Sequence, residues 1–109
     1  MKRLAFLGRS HLDLSKFPDG PRRKAGYQLN LVQSGIEPED WKPMPSIGPG
    51  VREIRVRDAG GAFRVIYVAT FADAIYVLHA FQKKTQRTAH LDIELAKTRF
   101  RQLAKELVT

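Results

Sequence analysis

Between Val51 and Lys84 the chain carries three β-forming runs, and the turns between them are too short to hold a helix. The first run, Val51 to Arg57, alternates: Glu53, Arg55 and Arg57 fall on one face, and Arg52, Ile54 and Val56 on the other. "DAGG" supplies a hairpin turn. Ala62 to Thr70 is β-branched and apolar, the composition of a central strand. "FADA" turns the chain again, and Ile75 to Lys83 forms the third run. Strands joined this closely run antiparallel, because a parallel return needs a crossover of about a dozen residues or more. The stretch thus commits the chain to a three-stranded meander, which the remaining residues must cover.

Lys2 to Leu7 reads as a short N-terminal strand with Leu4 and Phe6 on one face. Ser10 is placed as the N-cap of a short helix, "HLDLSKF", with Asp13 completing an approximate capping box. "PDGP" breaks that helix, and Pro21 suits the first turn of the next. In "RRKAGYQLNLVQSG", Ala25, Leu29 and Val32 share a helical face, Tyr27 and Leu31 adjoin it, and Gly35 is the stop. Ile36 to Gly50, with Pro38, Pro43, Pro45 and Pro49, reads as the longest irregular segment, anchored on the core by Trp41. Ala89 to Leu107 puts Leu91, Leu95, Phe100, Leu103 and Leu107 at helical spacing behind a Thr88 N-cap. The order is βααβββα. This is an α+β fold, an antiparallel sheet of the meander plus the N-terminal strand, packed with two N-terminal helices and a C-terminal one. At 109 residues, positions 1–109 are expected to form a single domain.

Nineteen Lys and Arg against eleven Asp and Glu give a net charge of +8, which concerns partners more than fold. Nucleic acid is the leading polyanion, with an acidic protein or an anionic membrane surface as rivals. No apolar run approaches the roughly 20 residues needed to span a bilayer. No basic helix with exposed aromatics stands out, so no membrane partner is expected. The apolar part of "MKRLAFLGRSHLDL" is too short for a secretory signal, and the chain has no cysteine. Cytoplasmic residence is the expectation. There is no P-loop, GxGxxG, HExxH or GxSxG. His11, His79 and His90 lack metal-ligand spacing, and neither a metal nor another cofactor is expected.

What remains is a cationic cluster on the meander. Arg55 and Arg57 share a face, and Arg64 follows the turn glycines closely enough to pair near Arg55. Lys83 and Lys84 end the third strand, and His79 shares a face with Lys83 by alternation. Arginine offers phosphate a planar bidentate contact, lysine a mobile point charge, and Tyr67 or Tyr76 a ring to stack on a base. Preorganised cations stabilise the extra negative charge of RNA cleavage through a 2′-hydroxyl, and a histidine moves protons near pH 7. The plainer alternative makes Arg52 and Arg57 edge charges that deter aggregation, and His79 a packed core residue. Arg64 is different. It interrupts an apolar central strand, so its charge must be paired or used, and Glu53 can neutralise it or Arg55 across the strand pair.

The string "GVREIRVRDAGGAFRVIYVATFADAIYVLHAFQKKTQRT", with "WKPMPSIGPGV" upstream and "DIELAKTRFRQL" downstream, resembles the core of the HigB-like, phage-derived branch of the RelE/ParE toxin superfamily. The similarity runs from about Tyr27 to Leu103. It implies the RelE-like fold and the toxin role in a type II toxin–antitoxin system, with an antitoxin that is often a helix-turn-helix DNA-binding protein. It further implies a metal-independent endoribonuclease, an mRNA interferase that inhibits translation by cutting mRNA on the ribosome. The family's strand-borne basic residues correspond to Arg55, with Arg57 nearby. Its arginine in a "YR-apolar-apolar-Y" pattern corresponds to Arg64 in "FRVIY", and its basic residue after the last strand to Lys83 or Lys84. A position that is lysine in RelE is Glu53 here, and RelE's late tyrosine has no match between Thr88 and Asp92, which leaves His79 or His90 as proton carrier. The catalytic candidates are therefore Arg55, Arg64, Lys83, Lys84 and His79, and the RNA-contact candidates Arg52, Arg57, Tyr67, Arg87 and His90. A ParE-like gyrase poison, or an inactive toxin retained as a binding partner, are the non-enzymatic alternatives on the same fold.

Overall fold

The meander lies at the centre of a five-stranded sheet in the computed structural model, which describes residues 1–85 and 89–108. Its strands are β3 (Val51–Asp58), β4 (Gly61–Val68) and β5 (Ala74–Lys83); β1 is Arg3–Phe6 and β2 is Trp41–Pro43. The helices among the described residues are α1 (Ser10–Ser15), α2 (Asp19–Gln33) and α3 (His90–Val108). Across the sheet the order is β1-β5-β4-β3-β2. The β3–β4 hairpin closes at Asp58↔Gly61, where Gly61 takes φ +131°, a conformation that glycine adopts without a Cβ penalty.

Two features of the sheet depart from the sequence expectation. β1 pairs with β5 in parallel, Leu4 opposite Ile75 and Phe6 opposite Val77, so the sheet is mixed rather than wholly antiparallel. A strand joined to its sheet through two helices has no turn chemistry to fix its direction. The segment expected to be irregular contains β2, antiparallel to β3 with Trp41 opposite Ile54 and Pro43 opposite Arg52. Proline is tolerated there because β2 is an edge strand, where a missing N–H breaks no interior ladder bond. Trp41 is half-buried, and the Arg52 guanidinium carbon lies 3.9 Å from its ring centroid.

The sheet is covered on both faces, which is why β4 reads as a continuous apolar run. On one face Ile54, Val56, Phe63, Val65, Tyr67, Ile75 and Val77 pack against Leu14, Phe17, Ala25, Leu29 and Val32. On the other, Val51, Ile66, Val68, Tyr76 and Leu78 pack against Met44, Ile47, Ala96 and Leu103. The buried stripe of α2 holds Ala25, Leu29 and Val32 as expected, whereas Tyr27 faces solvent. Gly35 (φ +80°) ends the helix in a Schellman turn, its N–H donating to Val32 O and that of Ile36 to Leu31 O. In α3 the buried stripe is Ala96 and Leu103, flanked by Ile93 and Phe100. Leu91, at 81% exposure, lies outside it, as do Leu95 and Leu107. Both sets satisfy helical spacing; small residues decide between them. Ala96 lets the helix close on the sheet, and a Cβ at Gly48 would collide with the Phe100 ring.

Ser10 is not an N-cap. Arg9 holds that position without a side-chain cap, and the buried Ser10 hydroxyl donates instead to Val77 O at 3.1 Å, tying α1 to β5. Val77 O also accepts Leu7 N–H, so Ser10→Ala leaves that carbonyl bonded. The expected loss is about 1 kcal/mol in urea unfolding, with an unchanged m-value. The expected Thr88 cap lies outside the described residues. Among those described, no helix is long and apolar enough to cross a membrane.

Candidate active site

Register builds the site. Arg55 lies opposite Arg64, and Arg64 opposite Phe81; Arg57 lies opposite Ala62, and Ala62 opposite Lys83. Alternation then places Glu53, Arg55 and Arg57 of β3, Arg64 of β4, and Phe81 and Lys83 of β5 on one face. A register shift between Ile66 and Tyr67 sets Ile66 opposite His79 but Tyr67 opposite Val77, so Leu78 is the extra residue of a bulge. The bulge keeps Leu78 and His79 both on the α3 side of the sheet, where Leu78 packs in the core and His79 meets Asp92.

The charges are arranged around a buried carboxylate. Glu53 is 1% exposed, with Arg64 Nε at 3.5 Å and Arg55 Nε at 3.7 Å from its Oε1. Arg64 is itself 3% exposed, and its Nη1 donates to Phe63 O at 3.2 Å. Burial pushes the Arg64 guanidinium below its ordinary pKa; Glu53 opposes that shift, and Arg55 and Arg57 add to it. The Lys83 ammonium is likewise pushed down, first by desolvation and then by Arg64. A depression of about 460 Å³ opens between them, lined by Arg57, Ala62, Arg64, Lys83, Lys84 and Thr85. Four cations around one depression suit a phosphodiester, with Arg64 fixed as a planar donor and the lysines adjustable.

The other sequence candidates lie elsewhere. His79 is 5% exposed; its Nε2 sits 2.7 Å from Asp92 Oδ1, and its ring stacks on Phe81 at 5.0 Å. Phe81 stands between His79 and Lys83 in their row along β5, so the imidazole does not line the depression. Arg52 and Tyr67 are register partners on the opposite face, where Arg52 stacks on Trp41 and pairs with Glu37 at 3.6 Å. Tyr67 is buried there, and burial raises its phenol pKa. The Tyr76 hydroxyl donates to Asp73 at 2.5 Å, at the far end of β5. His90 is exposed at the start of α3, 3.5 Å from Glu94, whereas Lys84 stays at the depression, its Nζ reaching Gln82 Oε1 at 3.4 Å. Arg87 lies outside the described residues.

Sequence reasoning missed Asp92 as the partner of His79. Thirteen residues separate the two, and only the docking of α3 on the sheet joins them. A family model described as "Phage derived protein Gp49-like (DUF891)" matches residues 12–101, a span holding every residue of the cationic face. A search of curated proteins found no match to the chain.

Proposed function

The chain belongs to the Gp49-like phage-derived family of RelE/HigB-like toxins, and on that premise we propose that it is the toxin of a toxin–antitoxin pair that cuts mRNA on the ribosome. The observation that carries this reading is Arg64, a buried arginine in an apolar strand that opens on a depression edged by Lys83, Lys84 and Arg57. In the proposed reaction the ribose 2′-oxygen attacks the adjacent phosphorus, and the P–O5′ bond breaks. The products are a 2′,3′-cyclic phosphate and a 5′-hydroxyl. The phosphorane between them carries extra negative charge, which Arg64 stabilises from a fixed position, with Arg55 beside it across the strand pair and Lys83 as an adjustable point charge. Lys84 and Arg57 hold the neighbouring phosphates. The 2′-hydroxyl proton passes to solvent, and Lys83, whose ammonium is disfavoured by burial and by Arg64, gives its proton to the departing 5′-oxygen. The ribosome positions the message, so a shallow site suffices.

Primer extension on a message translated in a purified system tests this. The expected result is discrete cuts within the reading frame that require ribosomes. Inhibition of gyrase supercoiling without RNA cleavage would instead support the gyrase-poison reading.

The same premise implies an antitoxin, which we propose is a helix-turn-helix DNA-binding protein that presents an acidic segment to the cationic face. Co-expression with an adjacent antitoxin reading frame should give a complex that survives gel filtration at micromolar concentration. Two separate proteins would contradict it.

A further inference from the structure

We propose that Glu53 is a positioning residue that weakens anion binding at the depression in order to fix the arginines that act on the transition state. This rests on the nuclease reading of the site. A carboxylate beneath a phosphate site is a liability by charge alone, since it repels the anion that the site must hold. Yet Glu53 is almost fully buried and faces the Nε of both Arg55 and Arg64. Those Nε atoms are buried and make no hydrogen bond among the described residues, and the Glu53 carboxylate, at ion-pair distance, is the charge that each of them faces.

Geometry explains the arrangement. Arg64 and Arg55 are direct cross-strand partners with like charges, and Lys83 is one strand further on. Three cations at that spacing repel and swing apart unless an anion sits among them. In the free protein that anion is Glu53. With Nε turned toward Glu53 and Nη1 toward Phe63 O, the Arg64 guanidinium plane is fixed before substrate arrives. Interactions that hold ground state and transition state equally raise affinity without raising turnover. Glu53 does the reverse: it subtracts from the binding of any phosphate and adds to the precision with which the guanidinium meets the phosphorane.

The inference makes affinity and turnover move in opposite directions. For Glu53→Gln, sulfate affinity should rise about tenfold, as one like charge is removed from behind the Arg64 guanidinium in a partly screened site. It is read from the sulfate dependence of the melting temperature at constant ionic strength. Ribosome-dependent cleavage should fall about a hundredfold, the usual effect of misplacing a reacting group by an ångström. Glu53→Asp keeps the charge and shortens the reach. It should bind sulfate as the wild type does and cleave at an intermediate rate, and it stands in as the test if Glu53→Gln does not fold. Affinity and cleavage that fall together, or a Glu53→Gln protein that cleaves like the wild type, would overturn the inference. If the wild type does not cleave on ribosomes, the nuclease reading fails, and an unchanged sulfate affinity in Glu53→Gln still overturns this one.

Discussion

Arg64→Ala should cost the domain about 3 kcal/mol of stability, besides any effect on activity. Removing one member of a buried ion pair leaves the other charged in a low-dielectric site, which typically costs about 3–5 kcal/mol. Here Glu53 would keep Arg55 at 3.7 Å, a partner whose side chain is 30% exposed, so the lower end of that range applies. The double variant Glu53→Met with Arg64→Met should recover part of the loss, because apolar side chains of similar volume replace the buried pair at little cost while Arg55, 30% exposed, is left without its carboxylate. Equilibrium urea unfolding measures both. A single variant as stable as the wild type would mean that Glu53 does not depend on Arg64. The prediction also bears on how activity is read: toxicity lost in Arg64→Ala has two causes, chemistry and folding, and cannot separate them.

Replacing Lys83 and Lys84 together with alanine avoids that difficulty. Lys84 is exposed and Lys83 half-buried, and neither has an ion pair with a carboxylate among the described residues. Their removal also relieves repulsion of Arg64, so stability should stay within about 0.5 kcal/mol of the wild type. Cleavage should fall at least a hundredfold. Removing one preorganised donor to a developing charge typically costs about 10²–10³ in rate, and here two cations of the depression go. Unfolding and cleavage thus give opposite answers for the two variants: Arg64→Ala moves both, and the lysine pair moves only activity.

Much of this geometry was legible from residue order alone. Short turns fixed the meander, and alternation put Glu53, Arg55 and Arg57 on one face. It also separated them from Arg52, which the structure places across the sheet beside Tyr67. A charge inside the apolar β4 run announced that Arg64 must be paired or used, and Glu53, one possible neutraliser of Arg64 or Arg55, faces both. What sequence could not supply was set by packing at long range. The direction of β1 follows from its pairing with β5 across some seventy residues, not from a local turn. β2 escaped notice because prolines usually exclude strands and do so least at an edge. The face of α3 that docks was chosen by Ala96 and Gly48, small residues that a search for large apolar side chains passes over. The Asp92 carboxylate reaches His79 only after that docking, so their pairing had no local signal.

The central claim is that the depression between β4 and β5 acts on mRNA held by the ribosome. Its most direct test is primer extension on one translated message, comparing the wild type with the Lys83→Ala, Lys84→Ala double variant at matched folded concentration. The account predicts ribosome-dependent stops inside the reading frame for the wild type, and their loss in a variant that unfolds at the same urea midpoint. Equal cleavage by the folded variant, or no cleavage by the wild type, would contradict it.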